Sequence, residues 1–271
     1  MSIIEATFKD LKAKNEAALI GYITAGIPTP ENTVDIAKAL IRGGVDILEL
    51  GVPFSDPIAD GPTIQAAAHQ ALDLGVTVQK VFNMVEEIKT EYNVPICLLT
   101  YYNPIYRIGI EKFMKMSRKH GVDGLIVPDL PVAESKDYKE SAKKHNIDTI
   151  FLASPATSEE RFRKIEDATS GFLYIVSLYG VTGARSSIEN NTLNLVKKFK
   201  QYSSGKVNLA VGFGISKPDH VKQIVSAGAD GAIVGSAFVK IINQDLTQDS
   251  MIQRLEELAT KLKQPSRYKR I

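Results

Sequence analysis

The sequence predicts an α/β protein, a parallel (β/α)8 TIM barrel with an extra N-terminal helix and a short extra helix after the eighth strand. Three observations carry this. Short, β-branched apolar runs alternate with amphipathic, charged stretches along the chain. The runs lack a clean period-two alternation, the mark of strands buried on both faces of a parallel sheet. The phrases before several runs also repeat: RGGVDILEL, KHGVDGLIV, KHNIDTIFL and SAGADGAIV. Each joins a helix end to a Gly or Asn stop and an Asp leading into a strand, as one (β/α) unit used repeatedly requires.

Taken in order, Ile3–Asn15 reads as a helix ahead of the first strand. The eight strand runs are Ala18–Ile23, Ile47–Leu50, Ile96–Thr100, Gly124–Val127, Thr149–Leu152, Phe172–Val176, Val207–Val211 and Gly231–Val234. Helical patterns between and after them are Pro30–Ile41, Val78–Glu91, Ile110–Lys119, Val132–His145, Glu159–Ala168, Thr192–Tyr202, Lys217–Ala227 and Met251–Leu262. A Pro/Ser/Gly linker is absent, so residues 1–271 read as one domain. An open dinucleotide-binding sheet is the rival. Its G-x-G-x-x-G turn is missing: Gly21 to Gly26 lacks the spacing, and Gly212-Phe213-Gly214 runs on into Ile215-Ser216-Lys217 without the third glycine.

Bulk composition narrows the function. The 271 residues are 44% hydrophobic and 24% charged, with a net charge of +2 and no block of one sign. That speaks against a dedicated nucleic-acid surface. Cys97 is the single cysteine and sits in an apolar run, so a disulfide framework and a multi-cysteine zinc site are excluded. The N-terminus has no apolar signal region, and no stretch approaches the roughly 18 apolar residues of a membrane span. No metal site and no membrane are expected, and the cytoplasm is the expected compartment.

In such barrels the active site lies at the C-terminal strand ends. Glu49, Asp56, Asp60 and Asp129 fall there, whereas Asp46, Asp123, Asp148 and Asp230 precede strands and belong to the stability face. His120 and His145 precede strands too, and His69 and His220 lie in helical patterns. Acid–base work therefore falls to carboxylates or tyrosine. Glu49 interrupts a strand that should be buried, where a charge is costly unless paired or neutral. It is either an acid–base group with a raised pKa or half of a buried ion pair. Asp60, in a βα loop stiffened by Pro53, Pro57 and Pro62, is a functional carboxylate or merely the turn and cap of a helix starting near Thr63. Asp56 reads equally well as an exposed turn residue.

The loops after the seventh and eighth runs, Gly212-Phe213-Gly214 and Gly235-Ser236, suit a phosphate held by backbone N–H groups and a helix end, or else simply make tight turns. Ser177–Ser187 is long and rich in small polar residues, fitting either a lid or a surface loop.

The string LELGVPFSDPIADGPTIQ, Leu48 through Gln65, resembles the signature region of tryptophan synthase α subunits. So do GYITAG, LLTYYNPI, VPDLP, SLYGVTGAR, VGFGIS and GAIVGSA, in order along the chain. The resemblance implies retro-aldol cleavage of indole-3-glycerol phosphate to indole and glyceraldehyde 3-phosphate. It implies Glu49 as general acid/base and Asp60 as the anion at the indole N–H. Tyr22 and Tyr174 would line the pocket. Gly183, Gly212, Phe213, Gly214, Gly235 and Ser236 would hold the phosphate, and Thr182 would hydrogen-bond Asp60 on loop closure. It further implies a β subunit as partner in a two-α two-β heterotetramer, facing Pro53, Asp56 and Pro57. No cofactor is expected in this chain; pyridoxal phosphate would belong to the β subunit. Tyr22 stands where some members have Phe, and Val132-Ala133-Glu134 where paired acids are common. A stand-alone lyase releasing free indole is the alternative. A catalytically dead barrel is disfavoured by retention of Glu49, Asp60, the lid and both phosphate loops.

Overall fold

The computed structural model describes residues 1–177, 190–212 and 214–267. Nine parallel strand segments form its sheet: β1 Ala18–Thr24, β2 Ile47–Gly51, β3 Ile96–Leu99, β4 Gly124–Ile126, β5 Asp148–Ile150, β6 Leu152–Ala153, β7 Phe172–Val176, β8 Asn208–Gly212 and β9 Gly231–Val234. Their order is β5-β4-β3-β2-β1-β9-β8-β7-β6. The two ends of that order are consecutive pieces of one predicted strand, so the sheet curls into a barrel. The fifth strand, expected as Thr149–Leu152, is interrupted at Phe151: β5 pairs with β4 and β6 with β7. The Phe151 carbonyl accepts the Tyr174 N–H at 3.0 Å and carries the bonding across the gap.

Several helices fall where the apolar period places them, Val78–Glu91, Ile110–Lys119 and Glu159–Ala168 among them. The pattern over Val132–His145 divides into a 3-10 turn, Val132–Glu134, and a helix, Lys136–Lys144. Helix Tyr102–Ile108 has no counterpart among the helical patterns of the sequence and contains Pro104. It sits in the first turn, where its missing N–H costs nothing. The short extra helix after the last strand is Ser236–Ile242.

Side-chain alternation sorts the strands into an inner and an outer face. Ala18, Ile20, Ile47, Cys97, Phe172, Ala210 and Ile233 point into the barrel. Leu19, Leu48, Leu50 and Leu98 point out against the helices. Helix Ile3–Ala13 plugs the bottom with Ile4, Phe8 and Leu11. Its start is fixed by a capping box: Ser2 Oγ accepts the Glu5 N–H, and the Glu5 carboxylate accepts the Ser2 N–H.

Three of the four repeated aspartates have a common structural task at this end. Asp46 accepts the Leu19 N–H at 2.7 Å, Asp123 that of Ile96 at 2.9 Å and Asp230 that of Leu209 at 2.8 Å. Each ties the turn before one strand to the start of its neighbour. Asp46 also meets the buried Lys263 ammonium at 2.9 Å, which anchors the C-terminal helix Gln248–Lys263.

Candidate active site

The same alternation that turns Ile47 inward turns Glu49 inward one layer higher, opposite Tyr22 in the β1–β2 register. On β7 it raises Tyr174 above Phe172. These side chains meet at the C-terminal mouth, around a largely apolar cavity of ≈ 310 Å³. Its lining includes Glu49, Asp60, Tyr22, Tyr174, Leu99 and Ile64, together with Gly214, Gly235 and Ser236.

Glu49 is 1% exposed, and neither carboxylate oxygen has a hydrogen-bond partner among the described residues. The ion-pair reading is therefore not met there. Burial, followed by the negative charge of Asp60, pushes its pKa up to about 8. Asp60 is half-buried and accepts a hydrogen bond from the Tyr101 hydroxyl at 3.0 Å. Burial raises its pKa to about 6, and the Tyr101 hydrogen bond acts the other way. Asp60 does not cap the following helix. The N-cap of Pro62–Asp73 is Gly61, without a side-chain cap bond, and Pro62 opens the first turn.

Two buried tyrosines are fitted to glycines. A Cβ on Gly51 would overlap the Tyr22 hydroxyl, and one on Gly212 the Tyr174 hydroxyl. Gly235 lies against the Tyr22 ring. These positions thus serve close packing as well as any anion. The hydroxyl that distinguishes Tyr22 from Phe is hydrogen-bonded to Thr24 Oγ1 at 3.1 Å. Burial and then Asp60 hold the Tyr22 phenol well above its ordinary pKa.

Of the other carboxylates at strand ends, Asp129 accepts the Tyr102 N–H at 2.9 Å and so supports the start of helix Tyr102–Ile108. Asp56 is exposed and bonded to Ser55. In its loop Ser55, Asp56 and Ile58 form the solvent face, whereas Pro53 and Pro57 are buried beneath it. None of the four histidines lines the cavity. His120 stacks on Phe82, and His145 meets Glu111 at 2.9 Å. Thr182, Gly183 and Phe213, with Leu178 to Ser187 of the expected lid, lie outside the described residues. Among the described residues no three of His, Cys, Asp and Glu cluster as metal ligands, and no helix is long and apolar enough to cross a membrane.

Sequence reading gave no separate role to Tyr101, Leu99 or Ile64. The inward parity of Leu99 at a strand end was the available signal. For Tyr101 there was none, because Asp60 lies 41 residues away along the chain.

A family profile described as tryptophan synthase alpha chain matches residues 8–267. The tryptophan synthase alpha chain of Methanosarcina barkeri is 46% identical over 260 residues, covering 96% of this chain and 95% of its own. That of Arabidopsis thaliana is 45% identical, covering 96% and 94%. Among solved structures, a chain of Mycobacterium tuberculosis tryptophan synthase superposes with a TM-score of 0.89 at 36% identity, covering 98% of this chain and 99% of that one. A chain of the tryptophan synthase α2β2 complex of Pyrococcus furiosus superposes with a TM-score of 0.85 at 42% identity, covering 91% and 98%.

Proposed function

The chain belongs to the tryptophan synthase alpha chain family, and from that membership we propose that Glu49 and Asp60 cleave indole-3-glycerol phosphate to indole and glyceraldehyde 3-phosphate. The observation that carries the reading is the pair of carboxyl groups in one apolar cavity, one biased toward its neutral form and the other toward its anion near pH 7.

The two states suit the reaction. Indole cannot leave as a carbanion, so its C3 must first be protonated. Neutral Glu49 gives that proton, and the Asp60 anion accepts a hydrogen bond from the ring N–H as positive charge develops there. The Glu49 carboxylate then takes the proton of the hydroxyl on the adjoining glycerol carbon. The C3–carbon bond breaks, its electrons restore the aromatic ring, and the aldehyde forms. Glu49 ends protonated, as it began, with the hydroxyl proton in place of the one left on C3. This sequence calls for no metal or organic cofactor in the chain.

Gly214, Gly235 and Ser236 open onto the same cavity and would take the phosphate, with Gly183, Gly212 and Phe213. Thr182 would close onto Asp60. Tyr22 and Tyr174 would bound the ring. The partner is the β chain, in a two-α two-β assembly, met by the loop of Pro53, Asp56 and Pro57. Its exposed Asp56 and Ile58 are available for contact, with the two prolines supporting them. Pyridoxal phosphate belongs to that partner, and the compartment is the cytoplasm. The stand-alone lyase reading is not favoured, because the similar solved chains include those of tryptophan synthase complexes.

The test is release of glyceraldehyde 3-phosphate from indole-3-glycerol phosphate, with and without the β chain. Wild type should turn over slowly alone and faster with β. Glu49→Gln and Asp60→Asn should each lose on the order of a hundredfold or more in kcat. Parent-like rates in both variants would remove the assignment.

A further inference from the structure

We propose that Tyr101 is a positioning residue that aims the Asp60 carboxylate into the cavity and holds it as an anion. The inference rests on Asp60 acting as the anion at the indole nitrogen. Tyr101 is 2% exposed and sits between β3 and helix Tyr102–Ile108, as that helix's N-cap. Its neighbour Thr100 is tied by its N–H to the Ile126 carbonyl of β4 at 3.0 Å. The phenol therefore stands on the rigid frame, whereas Asp60 stands on a loop.

Two hydrogen bonds join frame and loop. The Ala59 N–H donates to the Tyr101 oxygen at 2.9 Å, and the Tyr101 hydroxyl donates to Asp60 Oδ2 at 3.0 Å. The first bond gives the second its direction. An amide N–H can only donate, so the phenol oxygen accepts there and directs its single proton to the carboxylate. A phenol locked as a donor favours Asp60 as an acceptor, which is its ionised form. Tyr101 keeps that proton: burial, and then Asp60, hold its pKa far above the ordinary phenol value. It is thus not a proton donor to substrate. The ring is fixed from its other face by Phe54, stacked at 5.1 Å and 27°. Phe54 belongs to the same loop as Asp60, so that loop is gripped at two places. A core tyrosine satisfies its hydroxyl with a single backbone carbonyl, as Tyr138 does at Leu125, whereas Tyr101 bonds twice to the loop that carries Asp60.

The titratable groups facing Asp60 in the cavity are Glu49 from β2, Tyr22 from β1, Tyr174 from β7 and Tyr101 itself. No lysine, arginine or histidine lines the cavity among the described residues. Among the described residues Tyr101 is therefore the side chain that hydrogen-bonds Asp60 and favours the anion, against burial that disfavours it.

Tyr101→Phe keeps the ring and its stack and removes the hydroxyl. With the β chain present, kcat should fall about tenfold to a hundredfold, the range for a hydrogen bond to a charged group, with KM changed by less than about threefold. An activity-independent readout follows the Asp60 carboxyl directly. In a Glu49→Gln background, with 13C at the aspartate carboxyl carbons, the resonance lost in Asp60→Asn is Asp60. Its titration midpoint should lie higher in Tyr101→Phe than in the Tyr101 parent, by about one pH unit. An unchanged midpoint would overturn the proposal, as would an unchanged kcat. If Asp60→Asn itself kept the parent kcat, the catalytic reading of Asp60 would fail, while the midpoint would still decide whether Tyr101 holds the anion.

Discussion

Burial raises both Glu49 and Asp60, but the negative charge of Asp60 adds to the rise at Glu49, whereas the Tyr101 hydroxyl opposes it at Asp60. The separation of their protonation states follows from that difference. It also has a consequence for stability. The Glu49 carboxyl is raised from 4.5 to about 8 on folding. A group raised in the folded state contributes stability that is complete below the unfolded value and is lost as pH rises through the folded one. Glutamine has no such loss. Glu49→Gln should therefore gain on the parent as pH rises from 5 to 9, approaching on the order of 3 kcal/mol. Urea unfolding at pH 5.5 and pH 9 measures this, and a gain that does not depend on pH would mean that Glu49 is not buried as described. At this scale the sequence was half explicit. A carboxyl inside an apolar run exposed Glu49 at once, but whether it was paired depended on the far side of the barrel. Asp60 was ambiguous because Asp-Gly-Pro spells a helix start whatever else the aspartate does. The cap reading falls with Gly61 found as the N-cap. Tyr101 was hidden by its partner's distance along the chain.

Among the elements, strand ends matter more than strand interiors. Gly51 and Gly212 close β2 and β8 at inward positions, and each leaves room for a tyrosine from a neighbouring strand. The sequence suggested anion binding or a tight turn for Gly212. Packing against Tyr174 is a further reason that needs the three-dimensional register. In Gly212→Ala the new methyl must displace the Tyr174 ring within the cavity. Overpacking of this kind costs about 1–3 kcal/mol. A lowered melting temperature is expected, together with a KM for indole-3-glycerol phosphate raised about tenfold or more. Calorimetry and steady-state kinetics check the two parts, and an unchanged KM would separate Tyr174 from the substrate pocket. The elements themselves were legible wherever period and turn chemistry agreed, as in Val78–Glu91. They were not legible where the element is short. Helix Tyr102–Ile108 spans only seven residues, too few for a period to show, and the short fifth run gave no sign of the break at Phe151.

Across the whole molecule the barrel separates stability from chemistry. The bottom holds the plug of Ile4, Phe8 and Leu11, the aspartates that tie adjacent strands and the buried Lys263. The top holds the apolar cavity with its two carboxyl groups. The repeated Asp-before-strand phrase made the bottom legible from sequence, because the same local task recurs around the ring. The top is assembled from unlike residues on different strands and loops, so no repeat announces it. A rigid base allows Glu49 to stay buried without a partner among the described residues while the loop carrying Asp60 is held from one side by Tyr101.

On the proposed mechanism, one carboxyl must be neutral and the other ionised for the carbon–carbon bond to break. The pH dependence of kcat/KM for indole-3-glycerol phosphate cleavage, measured with the β chain present, tests it most directly. A bell is expected, with an acid limb at about 6 from Asp60 and an alkaline limb at about 8 from Glu49. A profile that is flat between these values and beyond, or one whose limbs survive unchanged in Glu49→Asp, would contradict it.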